Sequence, residues 1–288
     1  MKAQDVFDNL LVRNIVSYSV LITGYCLNGY GEEALPRFEK MQQEGIPPDG
    51  VTFTCILKAC SSISALDKGE EIHAEIDRKG LLEKNIVLGN AVVDMYVKCG
   101  ALAKAENTFN TLLVRDVISW NALISGYAQH GLNDEVFGCF KRMHEEGITP
   151  DAVTFVCIMK ACGSLGSSEK AEEIHAEVRK HGLLGKHMMI CNALIDMHAK
   201  CGSLAKAREV FDDLPVRDIF SWNALISGYV KHGLDAESLK CFAKMKEECI
   251  SPDGVTFVCI LKACSSMGSM EKGEDVHVEM GKQGFLER

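Results

Sequence analysis

Apolar residues recur along this chain at the spacing of helix faces. Within 117–128, Trp120, Leu123, Ile124 and Tyr127 form one stripe of a helix. Gly131 interrupts the pattern. Asn133 then offers an N-cap, and Val136, Phe137, Phe140 and Met143 draw a second stripe. Gly147 and Pro150 end it. The pattern predicts a helix–turn–helix hairpin. One such hairpin cannot cover its own apolar face, whereas stacked hairpins can. The predicted fold is therefore all-α, a right-handed superhelical solenoid of hairpins held by short-range contacts.

The hairpin recurs. SWNALISGY spans Ser119–Tyr127 and returns at Ser221–Tyr229, 102 residues later, with a looser SYSVLITGY from Ser17 to Tyr25. TFTCILKAC (Thr52–Cys60), TFVCIMKAC (Thr154–Cys162) and TFVCILKAC (Thr256–Cys264) keep the same period. Each 102-residue block divides into units of 35, 36 and 31 residues: 15–49, 50–85 and 86–116, then 117–151, 152–187 and 188–218, then 219–253 and 254–288. Residues 1–14 align with 205–218 as the second half of a short unit. The chain thus reads as one continuous array, either a section of a longer one or a consensus-like design.

Composition changes this picture little. Apolar residues make up 47% of the chain, enough for a core, and no run is long enough to span a membrane. The thirteen cysteines follow the repeat without a CxxC pair, and read as small buried thiols in a reducing compartment. The net charge of −9 matters more, because non-specific nucleic-acid binders are usually basic. Any nucleic-acid binding here must rest on something other than a positive field.

One polar residue recurs near the start of first helices: Asn90, Asn121, Asn192 and Asn223. In a stack, equivalent residues line one surface, and a column of amides offers donors and acceptors at the repeat spacing. That suits reading one base per repeat. A capping or core-satisfying amide is the alternative. A second column, Asp49, Asp116, Asp151, Asp218 and Asp253, closes the units, placed to cap the next helix or to orient a neighbouring amide.

These units resemble pentatricopeptide repeats, and the 35, 36 and 31 lengths resemble the plant PLS subclass. The P hallmark is SWNALISGY with EEGITPD, the L hallmark lies at Thr52–Glu75, and the S hallmark, NALIDMHAKCGSLAKAREVFDDLP, lies at Asn192–Pro215. The resemblance covers essentially the whole chain. It implies 1–14 as a partial S repeat, 15–49, 117–151 and 219–253 as P, 50–85, 152–187 and 254–288 as L, and 86–116 and 188–218 as S repeats. In that family the fifth and last residues of a unit jointly select one base of single-stranded RNA. Asn with Asp favours uracil and Ser with Asp favours guanine. Ser19 with Asp49 would read G. Asn90 with Asp116, Asn121 with Asp151, Asn192 with Asp218 and Asn223 with Asp253 would each read U. Thr54 with Asn85 could read A weakly, while Val156 and Val258 hold the reading position of the other L units and cannot hydrogen-bond a base. The implied target is 5′-G(A)UUxUUx-3′. Val16, Val87, Ile118, Met189 and Phe220, second in their units, would wedge between bases or else pack at the helix start. Arg13, Arg115, Arg217, Lys58, Lys160 and Lys262 are candidate phosphate contacts.

His73-Ala-Glu75, His175-Ala-Glu177 and His277-Val-Glu279 match half of a zinc-deaminase signature. The other half is missing and the triplet follows the repeat, so it reads as structural, with no metal, cofactor or small-molecule substrate expected. Cys55 and Cys60, five apart on a helix, point away from each other and cannot share an ion. The expected function is RNA recognition without catalysis. By resemblance it would serve C-to-U editing in a mitochondrion or chloroplast, and a multiple organellar RNA-editing factor would bind at the L repeats. The alternative is a protein-binding helical scaffold, which has no reason to keep paired Asn and Asp columns in step.

Overall fold

The computed structural model describes residues 2–185 and 187–285. Its regular structure among these residues is helical throughout. After α1 (Lys2–Asp8), helices follow in chain order: α2 (Ile15–Leu27), α3 (Gly31–Gln43), α4 (Gly50–Ser62), α5 (Leu66–Arg78), α6 (Ile86–Lys98), α7 (Leu102–Thr111), α8 (Val117–Gln129) and α9 (Asn133–Glu145). Then come α10 (Ala152–Leu165), α11 (Ser168–Lys180), α12 (Met188–Lys200), α13 (Leu204–Asp212), α14 (Ile219–Lys231), α15 (Asp235–Glu247), α16 (Gly254–Ser266) and α17 (Met270–Lys282). No helix among the described residues is long and apolar enough to cross a membrane.

The helices gather into two compact units, Met1–His130 with Lys141–Thr149, and Gly131–Phe140 with Pro150–Arg288. In the first, α2, α4, α6 and α8 pack side by side, and α3, α5 and α7 each bridge their own first helix and the next one. In the second, α10, α12, α14 and α16 form the row, bridged by α11, α13 and α15, with α17 on α16.

The sequence explains the two kinds of helix. A first helix has neighbours on both sides and buries apolar residues around much of its girth, as α14 does with Trp222, Leu225, Ile226 and Tyr229. A second helix buries one stripe only, as α3 does with Ala34, Phe38 and Met41. Each fully buried large apolar side chain contributes about 1.5–3 kcal/mol. The edge-on contact of Phe109 with Trp120 in the first unit, with centroids 4.6 Å apart, recurs as Phe211 with Trp222 in the second.

Close approach of first helices needs small residues. A Cβ on Gly126 would lie 2.7 Å from Val97 Cγ1, and one on Gly228 would lie 2.5 Å from Ala199 Cβ. Turns use the left-handed region. Gly147 adopts it with φ of +73°, but its counterpart in the next block is Cys249, held at +59°. Asn133 does not act as the N-cap that its sequence position suggested. It is the first residue of α9, and the Leu132 carbonyl accepts the first helical bond, from Val136 N at 3.1 Å. A polar residue one place inside the start imitates a cap in sequence.

Candidate nucleic-acid interface

The unit-closing aspartates sit one residue before a first helix. Asp49, Asp116, Asp151, Asp218 and Asp253 have extended backbones and cap α4, α8, α10, α14 and α16. Each carboxylate accepts from the backbone N–H three residues on: Thr52 at 2.8 Å, Ser119 at 2.9 Å, Thr154 at 2.9 Å, Ser221 at 2.8 Å and Thr256 at 2.9 Å.

The same carboxylates also reach backward. The predicted reading residues occupy the fifth place of each first helix. Asn90 Nδ2 donates to Asp116 Oδ1 at 3.1 Å in the first unit. In the second, Asn192 Nδ2 donates to both Asp218 oxygens at 3.1 Å, and Asn223 Nδ2 to Asp253 Oδ1 at 3.0 Å. Capping and amide orientation, alternatives in the sequence, are two bonds of one carboxylate. A carboxylate only accepts, so it fixes which end of the amide faces it. An amide nitrogen carries two N–H groups, so a single bond to the carboxylate takes only one of them. Asn121 stands half-buried at the same fifth place of α8.

Ser19 is joined to its aspartate by a relay. Its hydroxyl lies 2.7 Å from Thr52 Oγ1, which donates to Asp49 Oδ1 at 2.8 Å. Burial opposes ionisation of Asp116, but bonds from the Ser119 backbone, the Asn90 amide and the Ile118 backbone outweigh it and hold the carboxyl below its ordinary range. Asp253 is lowered in the same way, against burial, by Thr256, Asn223 and Val255. Both therefore stand ionised at neutral pH.

The second residues of these helices are not core. Val16, Val87, Ile118, Met189 and Phe220 are each at least half exposed, Phe220 by 68%. Helix-start packing does not account for them. Val51, Val153 and Val255, absent from the sequence-based expectation, hold the same place on α4, α10 and α16 and are exposed by 60%, 46% and 56%. Their signal was present, since they occupy the same position in the repeat.

Other expected groups make different contacts. Thr54 donates its hydroxyl to Gly50 O at 2.8 Å, and Asn85 caps α6 through Leu88 N at 3.2 Å, so neither is spent on the other. Val258 is 61% exposed, while Val156 is half-buried. The arginines are held by carboxylates. Arg13 pairs with Glu44 at 3.4 Å, Arg115 with Glu146 at 2.8 Å and Arg217 with Glu248 at 2.8 Å, each also lying over a phenylalanine ring. They brace neighbouring hairpins, and phosphate would have to displace a carboxylate 31 residues away. Lys58, Lys160 and Lys262 remain exposed. Two of the HxE histidines pack between helices, His73 Nδ1 meeting Tyr96 OH and His175 Nδ1 meeting His198 Nε2, both at 2.9 Å, while His277 is exposed.

Comparison with known proteins bears on the family and the fold. The PPR repeat family model matches residues 13–62, 115–164 and 217–266, and the PPR repeat model matches 153–183, 189–219 and 255–285. Pentatricopeptide repeat-containing protein At2g33680 of Arabidopsis thaliana is 40% identical over 94% of this chain and 37% of its own length. The chloroplastic relative At1g11290 and the mitochondrial relative At1g06140, from the same plant, are 36% and 37% identical over 94% of this chain, with 33% and 48% of their lengths covered. The chain thus spans between a third and a half of the curated relatives it matches. Among solved structures, the pentatricopeptide repeat protein PPR10 in complex with an 18-nt psaJ RNA element matches 99% of this chain and 42% of its own, with a TM-score of 0.82 at 21% identity. With the hairpins, their repeat and these matches together, the chain belongs to the pentatricopeptide repeat family.

Proposed function

We propose that this chain recognises single-stranded RNA, one base per hairpin, through the fifth residue of each first helix and the aspartate that precedes the next one. The observation that carries this reading is the Asn–Asp couple. It recurs at one helical position in both units, with an exposed apolar residue three places earlier. Stacking of a base on an aromatic ring such as Phe220 contributes about 1–3 kcal/mol and is indifferent to sequence, and the aliphatic residues offer an apolar face without that π-contact. The amide then chooses. Its second N–H matches the carbonyl oxygens of uracil. The neighbouring P, L and S repeats read 5′-G(A)UUxUUx-3′, with Thr54, Asn85, Val156 and Val258 contributing little or nothing to the choice. Lys58, Lys160 and Lys262 meet phosphates.

The likeness of the repeat lengths to the PLS subclass supports a role in directing C-to-U editing, with the chemistry supplied elsewhere. The names of relatives support a mitochondrial or chloroplast setting. The exposed Val258 of an L repeat supports contact there with a multiple organellar RNA-editing factor. The test is binding of 5′-GAUUAUUA-3′ against oligomers with each U changed to G. Asn121→Ser is expected to move preference at the fourth base from U toward G. Equal binding of all the oligomers would overturn the reading.

A further inference from the structure

In three couples the residue three places after the closing aspartate also touches the reading side chain. Ser119 Oγ donates to Asn90 Oδ1 at 2.6 Å, and Thr256 Oγ1 donates to Asn223 Oδ1 at 2.6 Å. The alternative acceptors of these protons, Asp116 and Asp253 Oδ1, lie farther away at 3.0 Å. Both hydroxyls belong to buried residues. Thr52 holds the same place against Ser19. We propose that this hydroxyl is a third specificity-determining element, which sets whether the fifth residue faces the ligand as a donor or as an acceptor. The proposal rests on the RNA reading above.

Proton accounting gives the polarity. An asparagine whose oxygen is taken by the hydroxyl and whose first N–H is taken by aspartate can show only its second N–H, a donor. That suits a uracil carbonyl. Thr52 gives its one proton to Asp49, so Ser19 must donate to Thr52 Oγ1. Ser19 is then left with lone pairs, an acceptor, which suits the N–H groups on the Watson–Crick edge of guanine. One relay therefore yields opposite faces from amide and hydroxyl. Lacking it, an amide could turn and a serine could donate, and the choice would blur.

The second unit contains an internal contrast. Ser221 donates to Asp218 O at 2.8 Å rather than to the amide, and Asn192 Oδ1 is buried without a hydrogen-bond partner. Asn192 is thus oriented by its carboxylate alone. Ser119 and Ser221 cap their helices alike, each accepting from the aspartate N–H, at 3.1 and 3.0 Å. Removing either hydroxyl weakens a cap, but only Ser119 should change base choice.

The experiment measures Kd ratios on 5′-GAUUAUUA-3′ with C in place of U at the third, sixth or seventh base, for the whole chain. Ser119→Ala is expected to lower U-over-C discrimination at the third base by about tenfold, the size of one oriented hydrogen bond. Ser221→Ala should leave the sixth base unchanged. Thr256→Val should lower discrimination at the seventh base, and Thr256→Ser should restore it. Unaltered ratios in Ser119→Ala and Thr256→Val, or an equal loss in Ser221→Ala, would overturn the relay while leaving the RNA reading intact. A wild-type chain indifferent to U and C at all three bases would overturn both.

Discussion

Asp253 lets the double use of one carboxylate be measured. It caps α16 through Thr256 N at 2.9 Å and holds Asn223 Nδ2 at 3.0 Å. Asp253→Ala removes a cap, which costs about 0.5–2 kcal/mol. It also leaves a half-buried amide N–H short of an acceptor, which costs about 1–3 kcal/mol more. The expected loss is roughly 2–4 kcal/mol. Asp253→Asn keeps an equally good cap and an oxygen acceptor, so its loss should stay under about 1 kcal/mol. Helical arrays can melt in parts, so the probe must report the right unit. The chain has two tryptophans, Trp120 and Trp222. A Trp120→Phe background leaves the buried Trp222, which packs on the same unit as Asp253. Urea titration followed by Trp222 fluorescence gives the stability, and U preference at the seventh base gives the function. Asp253→Ala should weaken both; Asp253→Asn should mainly weaken the second. An Asp253→Ala chain within 0.5 kcal/mol of its parent, or an Asp253→Asn chain as unstable as it, would refute the reasoning.

Two further outcomes follow from other parts of the molecule. His198 is pushed down to about 4 by burial and by the charge of His175, with Glu172, Lys206 and Glu209 also acting on it. Its folded-state value lies below its unfolded one, so the unfolded chain binds more protons between about pH 6.5 and 4. Stability of the second unit should fall through that window, by up to about 1.4 kcal/mol per pH unit, and level off below it. His198→Tyr, which copies the Tyr96 found opposite His73 in the first unit, should flatten the slope; an unchanged acid titration would count against this. Cys249→Gly should raise the urea midpoint by about 1 kcal/mol of stability, because Cys249 alone among the three equivalent turn residues holds a left-handed φ with a side chain. A lowered midpoint would show that the thiol contributes more than the backbone strain removes.

Hairpin boundaries were legible because two local signals agree: apolar stripes of helical period, and an aspartate or asparagine one place before every first helix except α12, which His187 precedes. The Asn and Asp columns were legible because repetition makes position meaningful. The remainder depends on contacts that no local pattern carries. Arg115 looks like a free charge until Glu146 is brought to it, and His175 looks like a surface residue of an amphipathic helix until His198 faces it. Ser119 and Thr256 were the hardest to see. A hydroxyl inside the first turn of a helix is commonplace for capping, and nothing in one dimension reveals that its proton goes to a residue in the preceding hairpin.

Because a single carboxylate both starts a helix and aims the amide of the hairpin before it, the proposed reading writes the letters of this array into its mechanical joints. Replacing Asp116 to accept a different nucleotide would also loosen the entry to α8. Rewriting several letters at once would add those losses, so a reprogrammed version would need compensating stability elsewhere, for instance at turn residues such as Cys249 that touch no base.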